Sequence, residues 1–349
     1  MPNNSVFCFP YKSVYFSATN AIVLLHKNLK KRGCYMAKVV ALGEALIDFT
    51  PMGHSENGNP IFEMNPGGAP ANVLAFLAKL GISTAFIGKV GDDMFGHALK
   101  NTFDLVGINT SGLILSKRYN TTLAFVELDK KGDRSFCFIR NHGADKMLQQ
   151  QEIDFSLLDH AEVFHFGGVS LTDEPSRSST LAAAAEAKKR GLLISYDPNF
   201  RPLLWDSDAA PVLSEGIKFA DILKVSDEEC RLLSGKDSLV DGTEYLSKTY
   251  GVKLIFVTLG AKGSAVRFGE YYAEQPTFDV KTIDTTGAGD AFLGGILYSI
   301  LQSGKNFLNL TIQDIDSYMK FANAAGSLVT TKRGAILSMP TLSQINELL

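Results

Sequence analysis

Short apolar segments alternate with longer amphipathic segments along most of this chain. In the C-terminal half the short segments are almost purely apolar, which is typical of strands buried on both faces of a sheet. These strand-like segments cover residues 163–166, 192–196, 222–225 and 254–258. Helical patterns lie between them, at residues 176–190, 209–219 and 242–250. Strands that alternate with helices predict a mainly parallel sheet with helices on both faces.

The N-terminal part shows the same alternation of strands and helices, which a predicted β-hairpin then interrupts. Predicted strands and helices alternate at residues 38–42, 71–80, 85–90 and 94–106. Two further strands, at residues 121–128 and 134–139, are joined by K-K-G-D at 130–133, which is a hairpin signal. We therefore expect one main α/β domain over residues 36–349, with a small β-sheet lid from roughly residues 48–65 and 115–142.

Residues 1–35 differ from the rest of the chain. They contain several basic residues and no acidic residue, and they show little periodicity. An acid-poor segment of this kind fits a transit peptide, but the preferred interpretation is an extension upstream of a true start at Met36. With either origin, we expect the segment to be disordered and dispensable for activity.

Composition favours a small-molecule partner. The chain has 349 residues, of which 45% are hydrophobic, and a formal net charge of −3, with a pI near 6.1. This balance predicts no binding to nucleic acid or to an anionic membrane surface. The longest N-terminal apolar run, at residues 21–25, is too short to span a membrane. The cysteines are scattered without metal-binding spacing, which favours reduced thiols in the cytoplasm.

The candidate chemistry is concentrated in residues 283–295, which read I-D-T-T-G-A-G-D-A-F-L-G-G. Small and flexible residues run directly into an apolar helical pattern, and a helix N-terminus of this kind can hold a phosphate. Gly287 and Gly289 allow the main chain to approach the anion closely. Asp290 would accept the proton of an attacking hydroxyl group, or it would simply cap the helix.

A second glycine-rich segment, P-G-G-A-P-A-N at residues 66–72, precedes the predicted helix 71–80. Gly67 and Gly68 permit close approach of the backbone to a polar ligand, and Asn72 offers one acceptor and two donors. The alternative is a tight turn with Asn72 on an exposed helix face. Neither the G-x-x-x-x-G-K-[ST] phosphate loop nor a Rossmann G-x-G-x-x-G after a strand occurs in the chain.

Together these motifs resemble the two signatures of the ribokinase-like (PfkB) carbohydrate kinases, D-T-x-G-A-G-D and G-G-x-x-A-N. The resemblance covers residues 36–349 and implies a three-layer α/β/α fold that binds ATP, Mg²⁺ and a sugar. It implies that Asp290 is the catalytic base and that the amides of Gly287, Ala288 and Gly289 form an anion hole. It also places Asp48, Gly67, Gly68 and Asn72 at the sugar.

Other positions of the resemblance concern the phosphates and metal ions. Arg201, in Y-D-P-N-F-R, would clamp a phosphate, unless it forms a surface salt bridge. Glu229 would organise Mg²⁺ through water, with Glu228 as the rival, although two acids at a helix start also favour its dipole. The expected ATP residues are Lys224, Ser226, Thr258, Gly260 and Asn323. Asp284, Thr286, Gly334 and Ser338 match positions that bind a monovalent cation such as K⁺ in some relatives.

Within the family, the chain looks most like the fructokinase branch, with Arg140 in F-I-R-N-H-G-A-D lying over the sugar. A 2-keto-3-deoxygluconate kinase, or another sugar or riboside kinase, remains an alternative, because an arginine there would also suit a sugar acid. A catalytically silent ligand-binding regulator on the same scaffold is the non-enzyme alternative. Relatives often pair their lids, so we expect a homodimer through a lid surface containing Leu123, Phe125, Phe136 and Phe138.

Overall fold

The computed structural model describes residues 36–128, 134–205 and 209–349. The segment 1–35 and the predicted hairpin turn at 130–133 lie outside these ranges. Residues 36–349 form one compact unit. No helix in the described ranges is both long enough and apolar enough to cross a membrane.

The described residues form thirteen strands and nine α-helices. The strands are β1 (Val39–Leu42), β2 (Leu46–His54), β3 (Pro60–Gly67), β4 (Thr84–Gly91), β5 (Ile108–Ser116), β6 (Thr122–Leu128), β7 (Arg134–Ile139), β8 (Val163–Gly167), β9 (Leu193–Asp197), β10 (Ile222–Ser226), β11 (Leu254–Thr258), β12 (Ser264–Phe268) and β13 (Tyr271–Gln275). The helices are α1 (Ala69–Lys79), α2 (Met94–Val106), α3 (Ser176–Lys189), α4 (Ala209–Ile217), α5 (Asp227–Ser234), α6 (Leu239–Tyr250), α7 (Ala288–Ser303), α8 (Ile312–Val329) and α9 (Leu342–Leu348).

Nine strands form the central sheet, in the order β13-β12-β11-β10-β9-β8-β1-β4-β5. The strands from β11 to β5 pair in parallel, and β12 and β13 add an antiparallel edge. Alternate side chains of β1 enter opposite cores: Val39 and Ala41 pack against α1, α7 and α8, whereas Val40 and Leu42 pack on the side of α3 and α4. The α/β/α layers expected from the sequence are therefore confirmed.

The lid is a second sheet of four strands, in the order β3-β2-β6-β7. Strand β2 pairs in parallel with β6, which joins two hairpins distant in sequence. The register places Asp48 beside Ala124 and Asn65, and Ala124 beside Phe138, so these side chains share one face. The predicted lid surface is therefore wrong for Phe138, because the two-residue repeat of a strand puts it on the face opposite to Leu123 and Phe125.

Candidate active site

The loop before α7 has the shape that an anion-binding site requires. Gly287 has a φ angle of 81°, and it immediately precedes the first helical residue, Ala288. A Cβ atom at Gly287 would lie 2.8 Å from the Cβ of Ala335, so both the backbone conformation and the packing favour glycine. The first amides of a helix have no acceptor within the helix. Gly287, Ala288 and Gly289 all line a cavity, where a bound anion could accept hydrogen bonds from such amides.

Asp290 connects α7 to α1 at this cavity. Its Oδ2 accepts a 2.8 Å hydrogen bond from Nδ2 of Asn72, which fixes the orientation of the carboxylate. The pKa of Asp290 is raised to about 6, first by burial and then by the charge of Asp197, and the Asn72 hydrogen bond opposes the shift. Lys224 and Arg201 oppose it as well. The bond between Asn72 and Asp290 joins the two glycine-rich motifs into one site.

Asp48 reaches the same cavity from strand β2 of the lid. A Cβ atom at Gly67 would lie 2.9 Å from Oδ2 of Asp48, so this glycine leaves room for the carboxylate without lining the cavity itself. Burial raises the pKa of Asp48 to about 7, and Arg201 is the main opposing charge. Gly68 does line the cavity and has a φ angle of 123°.

Two cavities meet at the start of α7. The first, of about 600 Å³, contains Asp48, Asn72 and Asp290 in its lining. The second, of about 630 Å³, contains Gly260, Asn323 and Ser327. Both cavities are lined by Thr258, Thr285, Ala288 and Gly289. A molecule in one cavity can therefore face a molecule in the other across the candidate anion hole.

A buried ion pair lies beneath this junction. Lys224 Nζ donates a 3.0 Å hydrogen bond to Oδ2 of Asp197, and both side chains are almost fully buried. Burial alone would lower the pKa of Lys224, but Asp197, Glu229 and Asp290 raise it above its usual value. A Cβ atom at Gly289 would lie 3.0 Å from Nζ. The ammonium group therefore stays charged next to the anion-hole loop.

Glu229 and Ser226 form a capping box at the start of α5. Oε2 of Glu229 accepts a 2.7 Å hydrogen bond from the Ser226 amide, and Oε1 accepts one of 2.6 Å from the Phe200 amide. Burial raises the pKa of Glu229, while Lys224 opposes the increase. Both residues line the first cavity. The geometry gives Glu229 a structural role, and its contact with Mg²⁺ through water stays a prediction.

The four positions predicted for a monovalent cation lie on two adjoining loops. Asp284 is buried, its Oδ1 accepts a 2.8 Å hydrogen bond from the Thr286 amide, and its Oδ2 accepts one of 3.1 Å from the Gly334 amide. Ser338 donates its hydroxyl hydrogen bond to the carbonyl of Arg333. These contacts bring three of the four positions into direct contact with each other.

The remaining predicted residues divide between the cavities. Arg201 lines the first cavity, and Thr258 lines both. Gly260 and Asn323 line the second, where Nδ2 of Asn323 donates a long hydrogen bond of 3.5 Å to the Pro276 carbonyl. The ATP residues expected from the sequence are thus distributed around the shared loop on both sides.

The expected position of Arg140 over the sugar needs correction, because its side chain is buried beside the cavity wall and does not line it. Nε donates a 2.8 Å hydrogen bond to Oδ2 of Asp145, Nη1 donates one of 2.7 Å to Thr172 Oγ1, and Nη2 donates one of 3.1 Å to the Val169 carbonyl. The guanidinium group therefore holds the wall through Val169, which does line the cavity.

Phe138 and Glu44 are among the cavity residues that were not predicted from the sequence. Phe138 was expected on the outer lid surface but lines the cavity, and strand register alone separates these positions. Glu44 also lines the cavity, and it is buried between β1 and β2. The only signal for Glu44 was a carboxylate directly after an apolar strand, in G-E-A-L-I-D.

Comparison with known proteins identifies the relatives of this chain. The pfkB family carbohydrate kinase profile matches residues 36–342. Fructokinase-2 of Zea mays is 44% identical over 321 residues, covering 89% of this chain and 93% of the maize protein. The crystal structure of a fructokinase from Xylella fastidiosa with bound ATP superimposes with a TM-score of 0.83 at 34% identity, covering 89% and 98% of the two chains. A fructokinase double mutant from Vibrio cholerae O395, with fructose, ADP and potassium ion bound, has a TM-score of 0.80 at 34% identity, covering 91% and 100%.

Proposed function

Because the chain belongs to the pfkB family of carbohydrate kinases, we propose that it is an ATP-dependent fructokinase. It transfers the γ-phosphoryl group of ATP to the 6-hydroxyl group of D-fructose. The observation that carries this proposal is the junction of two cavities at Ala288 and Gly289, directly before Asp290. Fructose occupies the cavity that contains Asp48 and Asn72, and ATP occupies the cavity that contains Asn323.

Asp290 acts as the general base for the attacking hydroxyl group. A pKa near 6 leaves the carboxylate mainly ionised at neutral pH while keeping it a better base than an ordinary aspartate. Asn72 donates its hydrogen bond to Oδ2 and so holds the carboxylate in one orientation. Asp48 lies in the same cavity, where it accepts hydrogen bonds from sugar hydroxyl groups.

Main-chain and cationic groups bind the transferring phosphoryl group at the junction of the two cavities. The amides of Gly287, Ala288 and Gly289 donate to its oxygens, and Lys224 and Arg201 supply positive charge. Among the described residues, no cluster of three or more potential metal ligands occurs. This donor set fits Mg²⁺ held mainly by nucleotide phosphates and water, which is its usual coordination in kinases. When bound, Mg²⁺ neutralises phosphate charge.

A coupled ADP-release assay tests the proposal across fructose, 2-keto-3-deoxygluconate, ribose, tagatose and nucleosides. We expect the highest kcat/KM with fructose. A higher kcat/KM with another acceptor would identify that acceptor as the substrate in place of fructose. Absence of ADP release with every acceptor would contradict the kinase activity and favour the catalytically silent regulator.

The 2-keto-3-deoxygluconate alternative loses its main support in the structure. It required an arginine that pairs with the carboxylate of a sugar acid, and Arg140 was the candidate. Two nitrogens of the Arg140 guanidinium group already contact the Asp145 carboxylate, at 2.8 Å and 2.7 Å. Breaking a buried ion pair to recruit a substrate carboxylate would leave Asp145 unpaired, which costs about 3–5 kcal/mol.

The outer face of the lid supports the proposed homodimer. Phe62, Met64 and Ile139 lie on this face and are 38%, 38% and 56% exposed. Phe62 packs edge-on against Phe125, which stacks on Phe49 at 4.8 Å between ring centroids. A second copy of the lid would cover these apolar side chains. Light scattering should give the mass of a dimer, and a monomer mass would contradict this assembly.

Two smaller parts of the proposal concern ions and location. The cluster of Asp284, Thr286 and Gly334 supports a monovalent cation beside the anion hole, and K⁺ added to a K⁺-free assay should raise the rate. No change in rate would remove this part of the proposal. Cys137 and Cys230 are unpaired thiols, which supports a reducing compartment such as the cytoplasm.

A further inference from the structure

Glu44 lines the cavity assigned to the sugar. It lies in the short link between β1 and β2, and only 3% of its surface is exposed. Its Oε1 accepts a 2.9 Å hydrogen bond from the amide of Ala69, the first residue of α1. Its Oε2 is buried and has no hydrogen-bond partner within the described ranges of the chain. One carboxyl oxygen, Oε1, therefore stabilises the start of α1, whereas Oε2 makes no hydrogen bond to the described residues.

Two glycines lie beside Glu44. A Cβ atom at Gly167 would lie 3.6 Å from Oε2, and one at Gly68 would collide with the Glu44 carbonyl. Gly68, Ala69 and Val169 line the cavity together with Glu44. A buried polar atom without a partner costs about 1–3 kcal/mol. A ligand hydroxyl group in this cavity is the natural partner that would remove the cost.

The protonation state of Glu44 decides whether Oε2 can donate a hydrogen bond or only accept one. The pKa of Glu44 is raised to about 7, mainly by burial and to a smaller extent by Asp145, while the Ala69 hydrogen bond and Arg140 oppose the increase. The other charged side chains that line the cavity are Asp48, Arg201, Lys224, Glu228, Glu229 and Asp290. Below pH 7, Glu44 is mainly a neutral acid with one O–H group. The pKa of Asp290 is lower, at about 6, so this residue stays ionised over a wider range of pH and accepts the hydroxyl proton, and a donor at Glu44 complements it.

We propose that Glu44 is a specificity-determining residue that contacts the sugar directly, donating a hydrogen bond from its carboxyl O–H group to one hydroxyl oxygen of the ketose. Oε1 meanwhile stays on the Ala69 amide and keeps the start of α1 in place. The inference rests on the proposed sugar kinase activity and names a residue that reads the sugar in addition to Asp48 and Asn72.

Two substitutions separate this role from a purely structural one. Glu44→Gln keeps an acceptor for Ala69 and places an N–H donor where the acid had its O–H group. Glu44→Met has similar length and keeps neither. At pH 6 we expect Glu44→Gln to retain kcat/KM for fructose within about threefold, and Glu44→Met to lose about tenfold or more, with KM for ATP unchanged in both. Glu162→Ala, an exposed carboxylate paired with Lys38, is the control.

Monodeoxy analogues of fructose identify the hydroxyl group. With the wild-type protein, removal of the hydroxyl that Glu44 contacts should lower kcat/KM about tenfold, and in Glu44→Met the same removal should cost less than about threefold. Penalties that persist unchanged for every analogue would overturn the contact. A loss in Glu44→Gln equal to that in Glu44→Met would overturn the donor role.

The remaining outcomes are also decisive. If Glu44→Met does not fold, as judged from its thermal unfolding, Glu44→Gln still tests the donor role, because its amide donates at every pH whereas the acid loses its proton above pH 7. The kcat/KM of Glu44→Gln relative to wild type should therefore rise between pH 6 and pH 8, and a constant ratio would overturn the donor role. Wild-type turnover of fructose is measured first. If the wild-type protein phosphorylates no sugar, the proposed function fails; if it does and both variants match it with every analogue, only the inference about Glu44 fails.

Discussion

The two cavities that meet at α7 have similar volumes and opposite chemistry. The sugar-side cavity is lined by many ionisable groups, among them Glu44, Asp48, Asp290, Arg201 and Lys224. The nucleotide-side cavity is lined by apolar side chains such as Phe278 and Phe292 together with uncharged polar residues, and Asp279 is the only charged side chain among its described lining residues. Ionisable groups are thus concentrated on one side of the shared loop.

This difference between the cavities follows from the charge and the ionisable protons of each ligand. A nucleotide carries its own charge, so neutral donors and an apolar surface are enough to bind its base and ribose. A free sugar is uncharged and has a hydroxyl proton to lose, so carboxylates are needed both to read it and to deprotonate it. Burial raises the pKa of Glu44, Asp48 and Asp290. Loss of a carboxylate should therefore harm sugar chemistry far more than nucleotide binding.

The largest effect should come from Asp290→Asn. Asparagine can still accept the hydrogen bond from Asn72, but it cannot take up a proton. We expect kcat to fall about 1,000-fold, with the affinity for ATP nearly unchanged when measured by calorimetry. Asp279→Asn, which changes the carboxylate of the other cavity, should leave kcat within about threefold. A loss of less than tenfold in Asp290→Asn would contradict the role of a base.

A smaller effect is expected from Asp48→Asn. The substitution removes one acceptor oxygen and puts an N–H group toward the sugar, so a hydroxyl group loses its partner at a cost of about 1–3 kcal/mol. KM for fructose should rise about 30-fold, whereas KM for ATP should stay within about twofold. Steady-state kinetics with each substrate varied in turn provide the measurement. A parallel rise in both KM values would contradict the proposal that each cavity binds a different substrate.

The wall shared by the cavities can be tested with two glycines at opposite ends of α7. Gly287→Ala places a Cβ atom 2.8 Å from that of Ala335 on a backbone with φ of 81°, and we expect kcat to fall about tenfold as the amides move. Gly304→Ala has a comparable φ of 61° but meets nothing within 4 Å. The left-handed backbone should cost both variants about 1–2 kcal/mol of stability in thermal unfolding, and Gly287→Ala should lose more because of its contact with Ala335.

In this pair, only Gly287→Ala should also lose activity. Equal kcat values in the two variants would show that the anion-hole loop tolerates displacement, and would weaken its assignment.

The smallest effect is predicted for Asn323→Ala on the nucleotide side. Its hydrogen bond to the Pro276 carbonyl is long, at 3.5 Å, so little of the pocket depends on it. KM for ATP should rise about threefold with KM for fructose unchanged. An effect on fructose instead would show that the two cavities do not act separately.

The parts of the site within one sequence motif were predictable. The local order of Gly287, Gly289 and Asp290 specifies a loop followed by a helix start, and tertiary packing changes little of that. The same holds for Gly68 and Asn72 at the start of α1. The alternation of buried strands and helices also determined the layers, because a sheet covered on both faces needs apolar strands of this kind.

The parts that depend on partners distant in sequence were not predictable. Arg140 was assigned to the sugar, but its guanidinium group donates hydrogen bonds to Thr172 and Val169, which lie 32 and 29 residues away in sequence. Glu44 meets Ala69 across 25 residues. Phe138 was placed on the wrong face because a shift of one residue in strand pairing reverses every side chain. Composition and periodicity carry no information about such pairings.

The lid and the body contribute different halves of the site, with Asp48 on β2 and Asp290 on α7. The lid is built from two separate hairpins joined through the parallel pairing of β2 with β6, whereas the loop that binds the transferring phosphoryl group belongs wholly to the body. The part of substrate choice that depends on Asp48 is thus physically separate from phosphoryl transfer. A graft of both hairpins from a kinase of different preference should shift sugar selectivity while leaving the nucleotide half intact.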